Sequence, residues 1–134
     1  VAFRRTSPRG DEVAERRLCG IRGATTVAAN TAEAILSATR QLLLSLQAEN
    51  GLVAEDLVSA IFTMTPDLDA AFPATAARDI GWDRVALLDA VEIGVPGALV
   101  RCVRVLIHVY TERGPAGVRH VYAGDAACLR PDLR

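Results

Sequence analysis

Four arginines stand where arginine is costly. Arg22 is flanked by glycines in an apolar run, and Arg104 lies inside the most hydrophobic stretch of the chain. Arg130 sits between Leu129 and Pro131, and Arg78 ends a short alanine-rich segment. A guanidinium is planar, permanently charged and forked, so it pairs with a carboxylate through two parallel bonds. Arginines of this kind, brought together, would make a pocket for a carboxylate-bearing molecule. Each could equally be a rim arginine that packs its aliphatic stem. Arg104 fits that description least, because an unpaired guanidinium in a core strand is expensive. Its partner is either an internal carboxylate, such as Glu92, or a bound anion. Asp89 and Glu92 lie three residues apart near the end of a strand. They read either as solvated or salt-bridged charge, or as acceptors for a substrate hydroxyl. Tyr122 reads as a sheet-surface aromatic and Phe72 as core.

Other chemistries lack the residues to carry them. No Ser, Cys or Thr sits in an elbow motif, and neither histidine, His108 or His120, is paired by sequence with a nucleophile or belongs to an HExxH pattern. Cys19, Cys102 and Cys128 form no CxxC pair, which supports neither a zinc site nor a redox motif; no metal is expected. GxGxxG and P-loop patterns are absent. All 15 basic residues are arginine, so no lysine is available for a Schiff base. That uniform usage fits a GC-rich coding sequence. With 51% hydrophobic residues and a net charge of −1, the chain is neither a disordered polymer nor a polybasic nucleic-acid binder.

The elements that must position these residues follow from periodicity. Residues 18–27 read as a strand carrying Arg22. Asn30 or Thr31 caps the clearest helix, with Glu33 three residues after Asn30 as a capping box asks. Ile35, Leu36, Leu42, Leu43 and Leu46 recur at helical spacing, and Gly51 follows as a left-handed stop. Residues 54–56 fit a turn and 57–65 a second strand. Thr65-Pro66-Asp67 ends that strand and could start a helical stretch. Pro73 opens a short helix through Arg78 and Ile80, stopped at Gly81. Residues 84–88 form a short third strand. In 101–111, the most strand-like segment, Val103, Val105, Ile107 and Val109 alternate with Arg104, Leu106, His108 and Tyr110. Gly114-Pro115 turns the chain into a last strand at 118–123, so that these two strands would form a hairpin. The sum is an α+β domain: a mixed sheet of about five strands with helices on one face. Residues 1–17 read as a loosely ordered extension and 18–134 as the domain. No apolar stretch has signal-peptide or membrane-span length, and an odd number of spread thiols suits a reducing cytoplasm, which is the expected location.

Four ordered blocks take the reading further. Gly20-Ile21-Arg22-Gly23-Ala24-Thr25-Thr26-Val27 resembles the opening strand of the monofunctional, trimeric chorismate mutases of the α+β class. Thr65-Pro66-Asp67-Leu68-Asp69-Ala70-Ala71-Phe72-Pro73-Ala74, with Arg78 after it, is similar to the central motif of that family. Arg101-Cys102-Val103-Arg104-Val105 is the third block. The fourth runs Arg119-His120-Val121-Tyr122 and then Leu129-Arg130-Pro131-Asp132-Leu133. Order and spacing match from residue 18 to the C-terminus, apart from about one residue missing near Gly81.

The resemblance implies a Claisen rearrangement of chorismate to prephenate, in the branch of the shikimate pathway leading to phenylalanine and tyrosine. It implies no cofactor, no nucleic-acid or membrane partner, and a homotrimer forming a pseudo-α/β-barrel with sites at the subunit interfaces. By position, Arg22 and Tyr122 would bind the side-chain carboxylate. Arg104 would stand at the ether oxygen, and Glu92, with Asp89, would take the ring hydroxyl. Phe72, Ala74, Leu87 and Leu88 would wall the ring; Arg78, Leu129 and Arg130 would line the entrance. Thr75 stands where some relatives carry a lysine, and Asp89 where some carry a cysteine. Two alternative functions would use an arginine pocket differently: a non-catalytic dicarboxylate-binding protein, or an enamine/imine deaminase of similar trimeric architecture.

Overall fold

The computed structural model describes residues 15–130. Residues 1–14 of the expected extension, and 131–134 with the end of the fourth block, lie outside the described residues. Five strands form one sheet in the order β3-β2-β4-β1-β5. They are β1 (Arg17–Thr26), β2 (Leu57–Met64), β3 (Ala86–Val91), β4 (Cys102–Thr111) and β5 (Val121–Ala123). Antiparallel β4 joins β1 to β2, while β3 pairs parallel to β2 and β5 parallel to β1. The sheet is therefore mixed, as the alternation of elements predicts.

The two helices, α1 (Ala32–Asn50) and α2 (Pro73–Asp79), pack on one face of the sheet. The period of two along β4 sends Val103, Val105, Ile107 and Val109 to that face, where they are fully or almost fully buried. Leu42, Leu43 and Leu46 of α1 meet Val105, Ile107 and Val109 together with Ile21, Ala60 and Phe62, while Val103 packs with Val27, Ile35 and Leu68. Truncating one such leucine to alanine costs about 2–5 kcal/mol. Gly23 lets the helix come this close: a Cβ there would stand 2.8 Å from the Leu46 side chain and 3.2 Å from Leu42. Trp82, fully buried, closes the end of this core and donates its indole N–H to Gln47 Oε1 at 2.7 Å. At the end of α1, Gly51 takes the left-handed conformation (φ 60°) that residues with a Cβ resist.

Several expectations need correction. The N-cap is Thr31, whose hydroxyl accepts the Ala34 N–H at 3.1 Å, so Glu33 falls at the second helical position and no Asn30–Glu33 box forms. The Asn30 side chain is engaged elsewhere: its Oδ1 accepts the backbone N–H of Asp69 and of Ala70. Thr65-Pro66-Asp67 starts no helix, and the third strand runs Ala86–Val91 instead of 84–88. β1 begins one residue early, at Arg17. The last two strands do not form a hairpin. Both edges of β4 are already taken by β1 and β2, so β5 adds to the free edge of β1, in parallel. Residues 118–120 stay out of the ladder because Asn50 binds both backbone groups of Arg119, accepting its N–H at 2.7 Å and donating to its C=O at 2.8 Å.

Among the described residues, the face of the sheet away from the helices is covered only at one end, where the short helical turn Gly124–Cys128 packs Ala126 on Ala24 and Cys102, and the rest of that face is open.

Candidate active site

Register alone places four side chains in one row on the open face. Tyr122 of β5 pairs with Ala24 of β1, Ala24 with Arg104 of β4, and Arg104 with Thr63 of β2. The small Ala24 between an aromatic and an arginine leaves a hollow in the row. A cavity of about 370 Å³ opens over it, with Arg22 and Leu106 along one side and Glu92, Leu129 and Arg130 at its margin. Arg22 reaches it because it lies two residues before Ala24 on β1, hence on the same face.

The charged groups are arranged as an unsaturated pair. Glu92 Oε1 accepts the Thr63 hydroxyl at 2.7 Å and lies 3.4 Å from Arg104 Nε. That Nε is buried and makes no hydrogen bond. A buried donor without an acceptor carries the full cost of desolvation, so the geometry favours an anion or a polar oxygen in the hollow. On the β5 side of β1, the backbone N–H of Arg22 donates to His120 Nδ1 at 2.9 Å. Burial, then the charges of Arg22 and Arg130, hold the His120 ring below the ordinary histidine range. Burial pushes the Cys102 thiol up, against the opposing influence of the neighbouring Arg104.

The start of β4 is fixed by a turn at Arg101, which has a positive φ of 46°. Asp67 stabilises it by accepting the Arg101 N–H at 2.9 Å and the Thr65 hydroxyl. Thr65, the Arg101 N–H and the Arg101 charge together hold the Asp67 carboxyl below its usual range. The Thr65-Pro66-Asp67 motif thus locks the strand that presents Arg104.

Of the residues expected to bind substrate, Arg22, Glu92, Arg104, Tyr122, Leu129 and Arg130 come together in this cavity. Phe72, Ala74, Thr75, Arg78, Leu87, Leu88 and Asp89 lie outside its lining and gather on α2 and β3, at the far edge of the sheet. There Asp89 Oδ1 accepts the Ala74 N–H at 3.0 Å, and Arg78 donates to the Thr75 hydroxyl at 3.3 Å. Burial raises the Asp89 carboxyl above its ordinary range, partly offset by the Ala74 N–H and the Arg78 charge. Leu87 packs against the core, whereas Leu88 and Phe72 are 60% and 68% exposed. Sequence reasoning missed Thr63 and Ala24 as parts of the site. β2 carries a second hydroxyl at Ser59, so no local pattern singled out Thr63. Among the described residues no group of three or more His, Cys, Asp or Glu side chains could hold a metal ion, and no helix is long and apolar enough to cross a membrane.

Comparison with known proteins identifies the family. Residues 18–133 match the model of the family described as chorismate mutase type I. The chain is 54% identical over 115 residues to chorismate mutase AroH of Thermus thermophilus, which covers 85% of this chain and 94% of that protein. It is 45% identical, also over 115 residues, to chorismate mutase AroH of Bacillus subtilis, covering 85% and 91%. Among solved structures, a chorismate mutase from Clostridium thermocellum superposes with a TM-score of 0.81 at 49% identity, covering 82% of this chain and 98% of that one.

Proposed function

The chain belongs to the type I chorismate mutases, and from that premise we propose that chorismate is rearranged to prephenate in the cavity over Ala24. The enzyme is an isomerase of aromatic biosynthesis. The observation that carries the site is the convergence of Arg104, Arg22, Tyr122 and Glu92 on one cavity, with the Arg104 Nε buried and unbonded.

The substrate rearranges within itself, so the residues bind, orient and stabilise charge. Arg22 and Tyr122 hold the carboxylate of the enolpyruvyl side chain. Glu92, anchored by Thr63, accepts the ring hydroxyl. Arg104 faces the ether oxygen. As the C–O bond lengthens ahead of C–C bond formation, that oxygen gains negative charge, and a fixed guanidinium stabilises the transition state more than the bound substrate. One such donor contributes about 3–4 kcal/mol. A millionfold acceleration needs about 8 kcal/mol. Clamping the flexible substrate in its compact reactive shape supplies the remainder.

The second cluster on α2 and β3 completes the pocket when it comes from a neighbouring copy in a homotrimer. Two features support this. Phe72, Arg78 and Leu88 lie outside the lining of their own chain's cavity, and the open face of the sheet leaves Leu18 55% and Tyr110 47% exposed, with Ile61 and Leu106 partly so. Burying such a face between copies removes it from water. Three free thiols, Cys19, Cys102 and Cys128, suit the reducing cytoplasm we assign to it.

Subunit mixing tests the shared pocket. Arg104→Ala and Arg78→Ala proteins, each impaired alone, are unfolded together, refolded and assayed by the loss of chorismate absorbance. Activity returns if the two arginines of one pocket come from different chains. No recovery, with trimers formed, places both arginines in one chain's pocket and rejects the shared site.

A further inference from the structure

Arg22 owes its place to a side chain outside the cavity's lining. Its backbone N–H, on the β5 side of β1, donates to His120 Nδ1 at 2.9 Å. The β1–β5 ladder starts only at the next pair, Gly23 with Val121, so no strand partner satisfies this amide. His120 is itself fixed from behind: Asn50, the last residue of α1, binds both backbone groups of the adjacent Arg119. A chain of contacts thus runs from the end of α1 through residues 119 and 120 to the strand residue that presents its guanidinium to the pocket. We infer that His120 is a positioning residue for substrate binding, whose ring fixes Arg22 by accepting its amide at Nδ1. This rests on the assignment of Arg22 to the substrate carboxylate.

Only a neutral imidazole with its proton on Nε2 can accept at Nδ1. The ring's surroundings favour that form. It is half-buried, and the charged groups that act on it are Arg22 of β1 and Arg130 near the chain's end, both cations. Protonation would set an N–H against the Arg22 N–H and remove the anchor.

Asparagine can place Oδ1 where Nδ1 stands, whereas glutamine carries its acceptor one bond farther out. His120→Gln should raise KM about five- to tenfold, the effect of one lost positioning hydrogen bond, with a smaller change in kcat. His120→Asn should stay within about twofold of wild type. The wild type should lose kcat/KM on the acid side of 6.5, the ordinary histidine value, and His120→Asn should lack that limb. Nitrogen NMR of histidine-labelled wild type needs no variant and should show an unprotonated Nδ1 at pH 7. Wild-type KM in His120→Gln, an unchanged acid limb in His120→Asn, or a protonated Nδ1 at pH 7 would each overturn the inference. Arg22→Ala separates the two levels. If it is impaired while His120→Gln is not, only the role of His120 fails. If Arg22→Ala keeps the wild-type KM, the carboxylate assignment fails and takes this inference with it.

Discussion

Glu92 and Arg104 approach to 3.4 Å without a hydrogen bond at the Arg104 Nε. A pair meant for stability would close that gap, since a buried donor left unmatched costs free energy. The Thr63 hydroxyl instead holds Glu92 Oε1 at 2.7 Å, and Arg104 keeps capacity for a third group. Arg104→Ala should therefore lower kcat by about 10²–10³, as loss of one transition-state donor does, while KM moves much less. Steady-state assays on chorismate read both constants. A variant with near-normal kcat would remove Arg104 from the chemistry.

Thr63 is the hinge of that arrangement. Thr63→Val keeps the shape and the β-branch that suit a strand but removes the bond to Glu92. The freed carboxylate can then close on Arg104 and satisfy it internally. We expect kcat/KM to fall about tenfold or more, in line with the roughly 1.5 kcal/mol or more of a hydrogen bond to a charged group, and the folded structure to persist. Kinetics and circular dichroism together decide the matter: wild-type kcat/KM in a folded Thr63→Val protein would show that Glu92 needs no anchor.

The sequence made some of this legible and hid the rest, for physical reasons. β1 and β4 stand out because one face of each is buried, so apolar residues recur at every second position and Arg104 is visible as an intrusion on the other face. β3 is an edge strand whose inward face is only half-buried, at Leu87 and Asp89, so its alternation is too short and weak to place its ends. β5 is only three residues long, and its partner depends on which sheet edge is free, a property of the whole topology. Asn30 looks like a cap by composition, but its side chain is claimed by backbone groups some 40 residues away. Thr63 and His120 act through strand register and a bond between distant segments, and neither leaves a local pattern.

Asp89 carries a pH dependence whose sign can be worked out. Burial raises its carboxyl above the ordinary value, with the Ala74 N–H and Arg78 opposing. A raised folded-state pKa means that the protonated form is favoured on folding. The resulting stability is present below the unfolded value and is lost as pH rises through the folded one. Asp89→Asn keeps the oxygen that accepts the Ala74 N–H and cannot ionise. Relative to wild type, its melting temperature should therefore rise more at pH 7 than at pH 4. Under the shared-pocket reading the same change removes a negative charge near a dianionic substrate, so KM should fall at pH 7. A variant whose relative stability is the same at both pH values would mean that Asp89 pays no net desolvation cost.

Thr75 gives the last prediction. Its hydroxyl accepts from Arg78 at 3.3 Å, one turn along α2, so the residue now steadies a cation that it could itself replace. Thr75→Lys loses that weak bond but adds a second positive charge beside Arg78. Charges on a pocket rim raise encounter rates with an anionic ligand, and salt screens them within about 10 Å at 0.1 M ionic strength. The expected result is a two- to fivefold rise in kcat/KM at low ionic strength, roughly the effect of one added steering charge, that fades as salt is added. If α2 and the cavity of a neighbouring copy form one pocket, the gain should appear in kcat/KM and not in kcat. A gain that is independent of salt would point to direct contact with the substrate instead of steering. No gain at any ionic strength would place Thr75 away from the path by which chorismate enters.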